Sequence, residues 1–242
     1  MRYLHKVNQH EKFVASGIYI HQQDGKATGT IEHWSIHEQP DGAQFIRVDD
    51  DWRKYDGSSV LLEAWRSPYV DGGYIERVDI NAFAPKNAEI KQVRVTYTVN
   101  ETHLEIGRTI DNNERGFFDL ALPESYILSP ESLIFGGLEV VELSLRSGEE
   151  FPVISYLPTF LNDTISFRPV VHQQSAHFLK NDTITVDGKA LQARCFEQLS
   201  SANDEKLLLW IDDNDILLQY KSGDGRHSAI LSQYSRRRER KS

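Results

Sequence analysis

The amino-acid sequence predicts an all-β protein, an antiparallel meander that forms a barrel or a half-barrel. Two observations predict it: apolar residues recur at every second position over most of the chain, and Asp-Gly turn signals separate these runs at short intervals. In a strand, successive side chains point to opposite faces, so a period of two places one set of residues on the core side. Hairpin turns repeated between such runs are typical of an up-and-down arrangement.

The strand pattern is clearest at residues 93–99, where Val, Val, Tyr and Val alternate with Arg, Thr and Thr. Residues 30–36 show it again, with Thr30, Glu32, Trp34 and Ile36 on one face. β-branched and aromatic residues are concentrated in these runs, as a pleated, half-buried surface favours. The sequence therefore predicts strands at both places.

Turns between the strands are marked by Asp24-Gly25, Asp56-Gly57 and Asp187-Gly188. Asp-Gly readily adopts the positive φ angles that two-residue hairpins require. The acidic loops 111–116 and 212–215 depart from calcium-binding patterns, and we predict hairpin turns there too.

The middle of the chain differs from its flanks. Prolines cluster between residues 122 and 169, and proline does not fit the interior of a central strand, so we expect edges, bends or a crossover. No 12-residue window has a helical stripe. We therefore expect nothing longer than short helical turns, near Pro123 or Pro130.

The domain organisation is predicted as two related β units. The N-terminal unit spans residues 1–125, the C-terminal unit spans 126–235 and packs on the first, and a basic tail covers 236–242. The echo of His21-Gln22-Gln23 in His172-Gln173-Gln174 favours a duplication. One continuous domain is the alternative, since all-β domains of this length are common.

Charge and hydropathy exclude some classes of partner. A net charge of −9 argues against nucleic acid, whose binding depends on neutralising phosphates. We expect at most a weak contact between the basic tail and an anionic surface. No apolar run approaches the roughly 20 residues of a transmembrane helix, and the polar start lacks the features of a signal peptide. These features predict a cytoplasmic protein.

Motifs of known chemistry are absent from the sequence. There is no nucleotide-binding glycine loop and no zinc-protease histidine pair, and the single Cys195 excludes the cysteine-based zinc sites. His33 and His37 would lie ~13 Å apart on a strand, too far to share an ion. We therefore predict neither a metal site nor a cofactor.

Aromatic and charged residues interleaved on predicted strands are the most suggestive feature. They would line a cavity suited to a lipid-like or other amphiphilic small molecule, and we predict a binding module for such a molecule. The predicted ligand-binding residues are Trp34, Trp65, Glu63, His33, Trp210 and Tyr220.

Two alternatives remain open at this point. A barrel-type isomerase, hydratase or cyclase needs only one or two acid–base groups in a dry cavity, and Glu32, His33 and Glu63 are its candidates. The other alternative is a structural or protein-interaction β protein without a ligand.

Two parts of the chain resemble known proteins. Residues 209–212, 217–220 and 229–234 look like the closing hairpins of half-barrel proteins related to bacterial lipoprotein carriers. Residues 137–140 and 156–158 resemble glycolipid-binding β proteins built from two such units. The resemblance implies a β half-barrel with a lipid-like ligand and supplies no catalytic residue. Unlike the exported carriers, this chain shows no signal peptide, which argues against a periplasmic transport role.

Overall fold

The computed structural model describes residues 9–67, 75–86, 89–111, 113–130, 132–156, 167–201 and 205–237. The first half of the chain forms eight strands: β1 (Lys12–Gln23), β2 (Lys26–Glu38), β3 (Gln44–Trp52), β4 (Ser58–Arg66), β5 (Ile75–Lys86), β6 (Glu89–Val99), β7 (His103–Ile110) and β8 (Glu114–Ala121). The second half adds β9 (Ile127–Pro130), α1 (Leu133–Ser144), β10 (Phe151–Tyr156), β11 (Val170–Val186), β12 (Lys189–Ser200), β13 (Glu205–Ile211), β14 (Leu217–Ser222) and β15 (His227–Arg236).

The fifteen strands form one sheet in the order β8-β7-β6-β5-β4-β3-β2-β1-β15-β14-β13-β12-β11-β10-β9. In the described part of the chain, neighbouring strands pair antiparallel except β9 and β10, which are parallel. β8 and β9 lie at the two edges and do not pair with each other, so the sheet is not closed. The predicted all-β meander is confirmed in its half-closed form. The sheet runs without interruption through both predicted β units, and their division stays a prediction.

The alternation of apolar residues has its expected consequence in burial. Thr30, Glu32, Trp34 and Ile36 are all buried on one face of β2. We call this the inner face of the sheet; Val48 on β3 and Leu62 on β4 continue it because they pair in register with it. The opposite, outer face carries side chains that are mostly half-buried or exposed.

Two of the three Asp-Gly turns have the backbone geometry that was predicted, whereas at Asp56-Gly57 only Gly57 has a positive φ angle, of 86°. Asp24 and Gly25 have φ angles of 49° and 74°, and Asp187 and Gly188 have φ angles of 50° and 71°. Two consecutive positive φ angles define the type I′ turn, whose twist matches that of the flanking strands. At 212–215, the Asp212 carboxylate accepts hydrogen bonds from the backbone N–H groups of Asn214 and Ile216, which confirms a turn there.

The expectation of no helix longer than a turn was wrong. α1 has twelve residues and connects β9 to the parallel strand β10, so the proline-rich middle is a crossover. Its sequence, LIFGGLEVVELS, is apolar on nearly every side and therefore has no stripe to detect. α1 packs against β9, β11, β13 and β14. Residues 137–140, whose sequence resembles glycolipid-binding β proteins, lie inside this helix.

Some of the sequence-based expectations concern residues that the structure does not describe. Residues 238–242 of the basic tail and residues 157 and 158 lie outside the described residues. Within those residues, no helix has both the length and the apolarity needed to cross a membrane.

Candidate functional site

Two of the hollows formed by the described residues lie on opposite faces of the sheet. The first, which we call the inner cavity, has a volume of about 500 Å³ and lies between α1 and the inner face. The second, the outer groove, has a volume of about 750 Å³ and crosses β2 to β6 on the outer face. Both volumes are within the range of small-molecule sites, roughly 300–1,000 Å³.

The inner cavity combines an apolar floor with polar walls. The floor is formed by leucines from α1, β13 and β14: Leu133, Leu207, Leu209 and Leu217. Gly136 of α1 lies against this floor, and Tyr220 of β14 also lines the cavity. No lysine or arginine occurs among the described residues that line it, whereas three carboxyl groups do: Glu32, Asp50 and Glu139.

Glu32 is fully buried on β2 and faces the N-terminus of α1. Its carboxylate accepts hydrogen bonds from the Ser132 hydroxyl at 2.9 Å and from the Leu133 backbone N–H at 3.1 Å. Burial raises the pKa of Glu32 to about 7, although these hydrogen bonds lower it. The carboxyl group can therefore both hold and release a proton near neutral pH.

Asp50 lies directly opposite Glu32 on the neighbouring strand β3. Its Oδ2 accepts a hydrogen bond from the indole N–H of Trp52 at 2.5 Å. Burial raises the pKa of Asp50 well above its usual range, and the negative charge of Glu32 raises it further. The two carboxyl groups thus disfavour each other's ionised forms.

His21 of β1 completes this end of the cavity. Its ring lies 5.6 Å from the Trp52 ring. Burial lowers the pKa of His21 to about 4, so its imidazole is neutral at physiological pH. A ring nitrogen of His21 and one carboxylate oxygen each from Glu32 and Asp50 lie within 4.8 Å of one another. These are atoms of the type that bind metal ions, and we call them ligand-type atoms.

A second polar cluster lines the cavity from α1 and from β9 to β12. Glu139 accepts hydrogen bonds from the Ser129 hydroxyl and from the side-chain amide of Gln198. Gln198 also donates to Gln174, which in turn contacts His172. Burial raises the pKa of Glu139 and lowers the pKa of His172. These groups make a hydrogen-bonding wall in which burial disfavours the charged forms of Glu139 and His172.

The outer groove has a different character, because its charges are largely paired. Nη2 of Arg47 donates to both carboxylate oxygens of Glu11, at 3.0 and 2.9 Å, and Nη1 lies 3.0 Å from Nδ1 of His37. Its guanidinium also lies 3.9 Å from the centre of the Phe45 ring. The groove is therefore lined partly by charged side chains that already pair with one another, whereas the Nε of Arg47 has no hydrogen-bond partner among the described residues.

The six residues predicted to bind a ligand do not gather at one place. His33 and Glu63 line the outer groove, and Tyr220 lines the inner cavity. Trp34 borders the groove, but its buried side chain lies on the inner face and stacks on Tyr19. Trp65 packs against Phe45 on the outer face, with ring centres 4.6 Å apart, and lines neither hollow. Trp210 lines neither one and donates its indole N–H to Asp182 at 3.1 Å. Their role in binding stays a prediction.

Of the three acid–base candidates, only Glu32 is enclosed. His33 is exposed, and the Glu63 side chain is half-buried in the outer groove. The sequence reasoning missed His21, Asp50, Glu139 and Gln198. A signal for Glu32 was present, since an acidic residue occupied the apolar face of an alternating strand. The other residues meet only through pairing between strands and the placement of α1.

Comparisons with known proteins agree with the fold. The chain is similar to the crystal structure of a β-barrel-like protein of domain of unknown function DUF1849 from Brucella abortus, with a TM-score of 0.57 and 9% sequence identity. The match covers 94% of this chain and 99% of that one. No family model and no curated protein matches the sequence. At this identity the likeness shows the fold alone, a β-barrel-like architecture.

Proposed function

We propose that this protein binds a small amphiphilic molecule in the inner cavity, between α1 and the inner face of the sheet. The observation that carries the proposal is a hollow of about 500 Å³ with a leucine floor and buried polar groups around it. Burial of an apolar ligand segment against this floor would contribute a favourable binding free energy of about 25 cal/mol per Å² of apolar surface removed from water. A polar group on the ligand would form hydrogen bonds with the side chains of the walls.

The chemistry of the walls favours one class of polar group. Glu32, Asp50 and Glu139 line the cavity, and no described lining residue is a lysine or an arginine. A carboxylate or phosphate group would be desolvated beside acidic side chains without a compensating side-chain cation. We therefore expect the ligand to carry an amine or a hydroxyl group, which can donate hydrogen bonds to Glu139 and Gln174.

Probes of equal chain length test this proposal. Binding of decylamine, decanol and decanoate to the full chain is measured by titration calorimetry in the presence of EDTA. We expect decylamine and decanol to bind at least tenfold more tightly than decanoate. Failure of all three probes to bind, or a preference for decanoate, would contradict the proposal.

A pair of variants tests whether the ligand binds in the inner cavity or in the outer groove. A Cβ on Gly136 would lie 3.8 Å from the side chains of Leu209 and Leu217, so Gly136→Leu fills the cavity without meeting backbone. Thr96→Leu is the control, because Thr96 lines the outer groove. We expect Gly136→Leu to weaken decylamine binding at least tenfold and Thr96→Leu to leave it unchanged. The reverse result would assign binding to the outer groove.

An acid–base enzyme is the second candidate function, and Glu32 is the observation that favours it. A carboxyl group with a pKa of about 7 in a cavity can act as both proton donor and proton acceptor. The test is turnover of a metabolite mixture, followed by NMR, with the wild type and Glu32→Gln. A reaction that the wild type performs and Glu32→Gln does not would support an isomerase, hydratase or cyclase.

A further inference from the structure

His21, Glu32 and Asp50 come from three adjacent strands and meet at one end of the inner cavity. Glu32 and Asp50 are direct partners across β2 and β3. His21 lies on β1, two residues beyond Tyr19, the residue paired with Glu32. Their ligand-type atoms lie within 4.8 Å of one another. An ion centred among three atoms 4.8 Å apart would lie about 2.8 Å from each of them, compared with a bond length of ~2.1 Å. Side-chain movements below 1 Å would therefore bring all three to one ion.

Several buried polar atoms in this cluster or beside it have no hydrogen-bond partner among the described residues. They are His21 Nε2, Asp50 Oδ1 and the hydroxyl of Thr30, a side chain that is only 1% exposed. Thr30 shares the inner face of β2 with Glu32, two positions away. In native structures nearly all buried polar atoms have a partner. The unpartnered atoms of His21 and Asp50, which both line the cavity, therefore indicate that a ligand belongs between them.

The carboxyl groups of Glu32 and Asp50 also lack a cationic counterpart among the described residues. No ion pair joins Glu32 or Asp50 to a described cationic side chain, and Asp49 and Asp51 add further negative charge near Asp50. Opposite positions on neighbouring strands are unfavourable for two like charges. A bound cation would remove this repulsion.

The orientation of the two carboxylates is already determined by other groups. Trp52 donates a hydrogen bond to Asp50, and Ser132 and Leu133 donate to Glu32. Each carboxylate oxygen can accept a second partner, so these bonds leave lone pairs available. Such outer contacts orient ligands in metal sites.

We propose that His21, Glu32 and Asp50 bind a divalent transition-metal ion. One imidazole nitrogen with two carboxylates suits ions such as Zn²⁺ and Mn²⁺, because imidazole suits zinc and carboxylates suit manganese. His21 Nε2 and Asp50 Oδ1 have no hydrogen-bond partner among the described residues, and the three ligand-type atoms lie close enough together to share one ion. The site is formed by the protein alone and does not depend on the organic ligand proposed above.

The test uses the full chain after dialysis against EDTA and then against metal-free buffer. Zn²⁺ and Mn²⁺ are titrated separately by calorimetry, and X-ray absorption on the zinc-loaded protein reports the ligands. We expect one tight site, with one imidazole nitrogen and otherwise oxygen ligands. The variants His21→Ala and Asp50→Asn should each weaken that site at least 100-fold. Asp50→Asn is nearly isosteric, so its result stands even if His21→Ala does not fold.

The matched controls are His33→Ala and Asp49→Asn. His33 and Asp49 are partners on the same two strands, β2 and β3, but both line the outer groove. We expect both controls to bind metal as the wild type does. Absence of a tight site, or equal binding by Asp50→Asn and the wild type, would overturn the proposal. Decylamine binding that is lost in Asp50→Asn, in protein that binds no metal, would instead assign the cluster to an ammonium group.

Discussion

Glu32 on β2 accepts a hydrogen bond at 2.9 Å from the hydroxyl of Ser132, which lies 100 residues later in the chain. Ser132 is the N-cap of α1, yet its side chain makes no capping bond to the helix backbone. The second oxygen of Glu32 accepts instead from the backbone N–H of Leu133, in the first turn. A carboxylate from the sheet thus performs the role of the helix cap, and an anion is favourable at that end of the helix.

Removal of this cap should destabilise the protein. Glu32→Ala leaves the Ser132 hydroxyl and the Leu133 N–H buried without their acceptor, and we expect a loss of about 3 kcal/mol. Ser132→Ala removes one bond and should cost about 1 kcal/mol. Urea unfolding followed by circular dichroism measures both. Glu76→Ala, at an exposed position on β5, is the control and should change stability by less than about 0.5 kcal/mol. Equal stability of Glu32→Ala and the control would show that the cap contributes nothing.

The buried carboxyl of Glu32 should also make stability depend on pH. Its pKa is raised from 4.5 to about 7, so its stabilising contribution is fully present below pH 4.5 and is lost as the pH rises to 7. His21 acts in the opposite direction in part of this range, because its pKa is lowered to about 4. The difference in unfolding free energy between the wild type and Glu32→Gln reports the ionisation of Glu32 together with its effect on Asp50. In EDTA we expect this difference to fall by about 3 kcal/mol between pH 4.5 and 7, at 1.36 kcal/mol per pKa unit. A pH-independent difference would mean that Glu32 ionises normally.

The glycine pair of α1 allows a matched comparison. A Cβ on Gly137 would lie 2.2 Å from the backbone oxygen of Asp215, whereas a Cβ on Gly136 meets only side chains at 3.8 Å. Alanine improves helix propensity by about 1 kcal/mol at either position. We therefore expect Gly136→Ala to raise the free energy of unfolding by up to about 1 kcal/mol and Gly137→Ala to lower it by about 3 kcal/mol. Thermal and urea unfolding give both values, and similar stability of the two variants would contradict the close approach of α1 to the loop before β14.

Substitution of Arg47, which lines the outer groove, should lower the free energy of unfolding. Its guanidinium holds Glu11, whose side chain is only 1% exposed. Arg47→Met removes the positive charge from a buried carboxylate, and we expect a loss of about 3–5 kcal/mol at pH 7. Arg77→Met is the control, since the Arg77–Asp79 pair is more exposed and pairs of that kind contribute about 0–1 kcal/mol. Urea unfolding of both variants tests the contrast. A cost for Arg47→Met no larger than for Arg77→Met would show that Glu11 is solvated in solution.

Much of the fold could be predicted because strand formation leaves a local trace. The alternation at residues 93–99 placed Val93, Val95 and Tyr97 on a buried face, and Asp24-Gly25 marked a hairpin turn. Both depend on neighbouring residues alone: the pleat determines which side chains share a face, and the turn residues determine the φ angles. α1 left no such trace, because a helix surrounded by protein has no polar stripe.

The candidate site depended on contacts far apart in the sequence. The sequence alone determined that Glu32 shares a face with Trp34 and Ile36, because a period of two leaves no other place for it. Only the tertiary structure decided what Glu32 meets: Asp50 through the register of β2 with β3, His21 through β1, and the N-terminus of α1 through the crossover. Strand register and helix placement minimise the free energy of the whole core, so no local pattern encodes which polar groups they bring together.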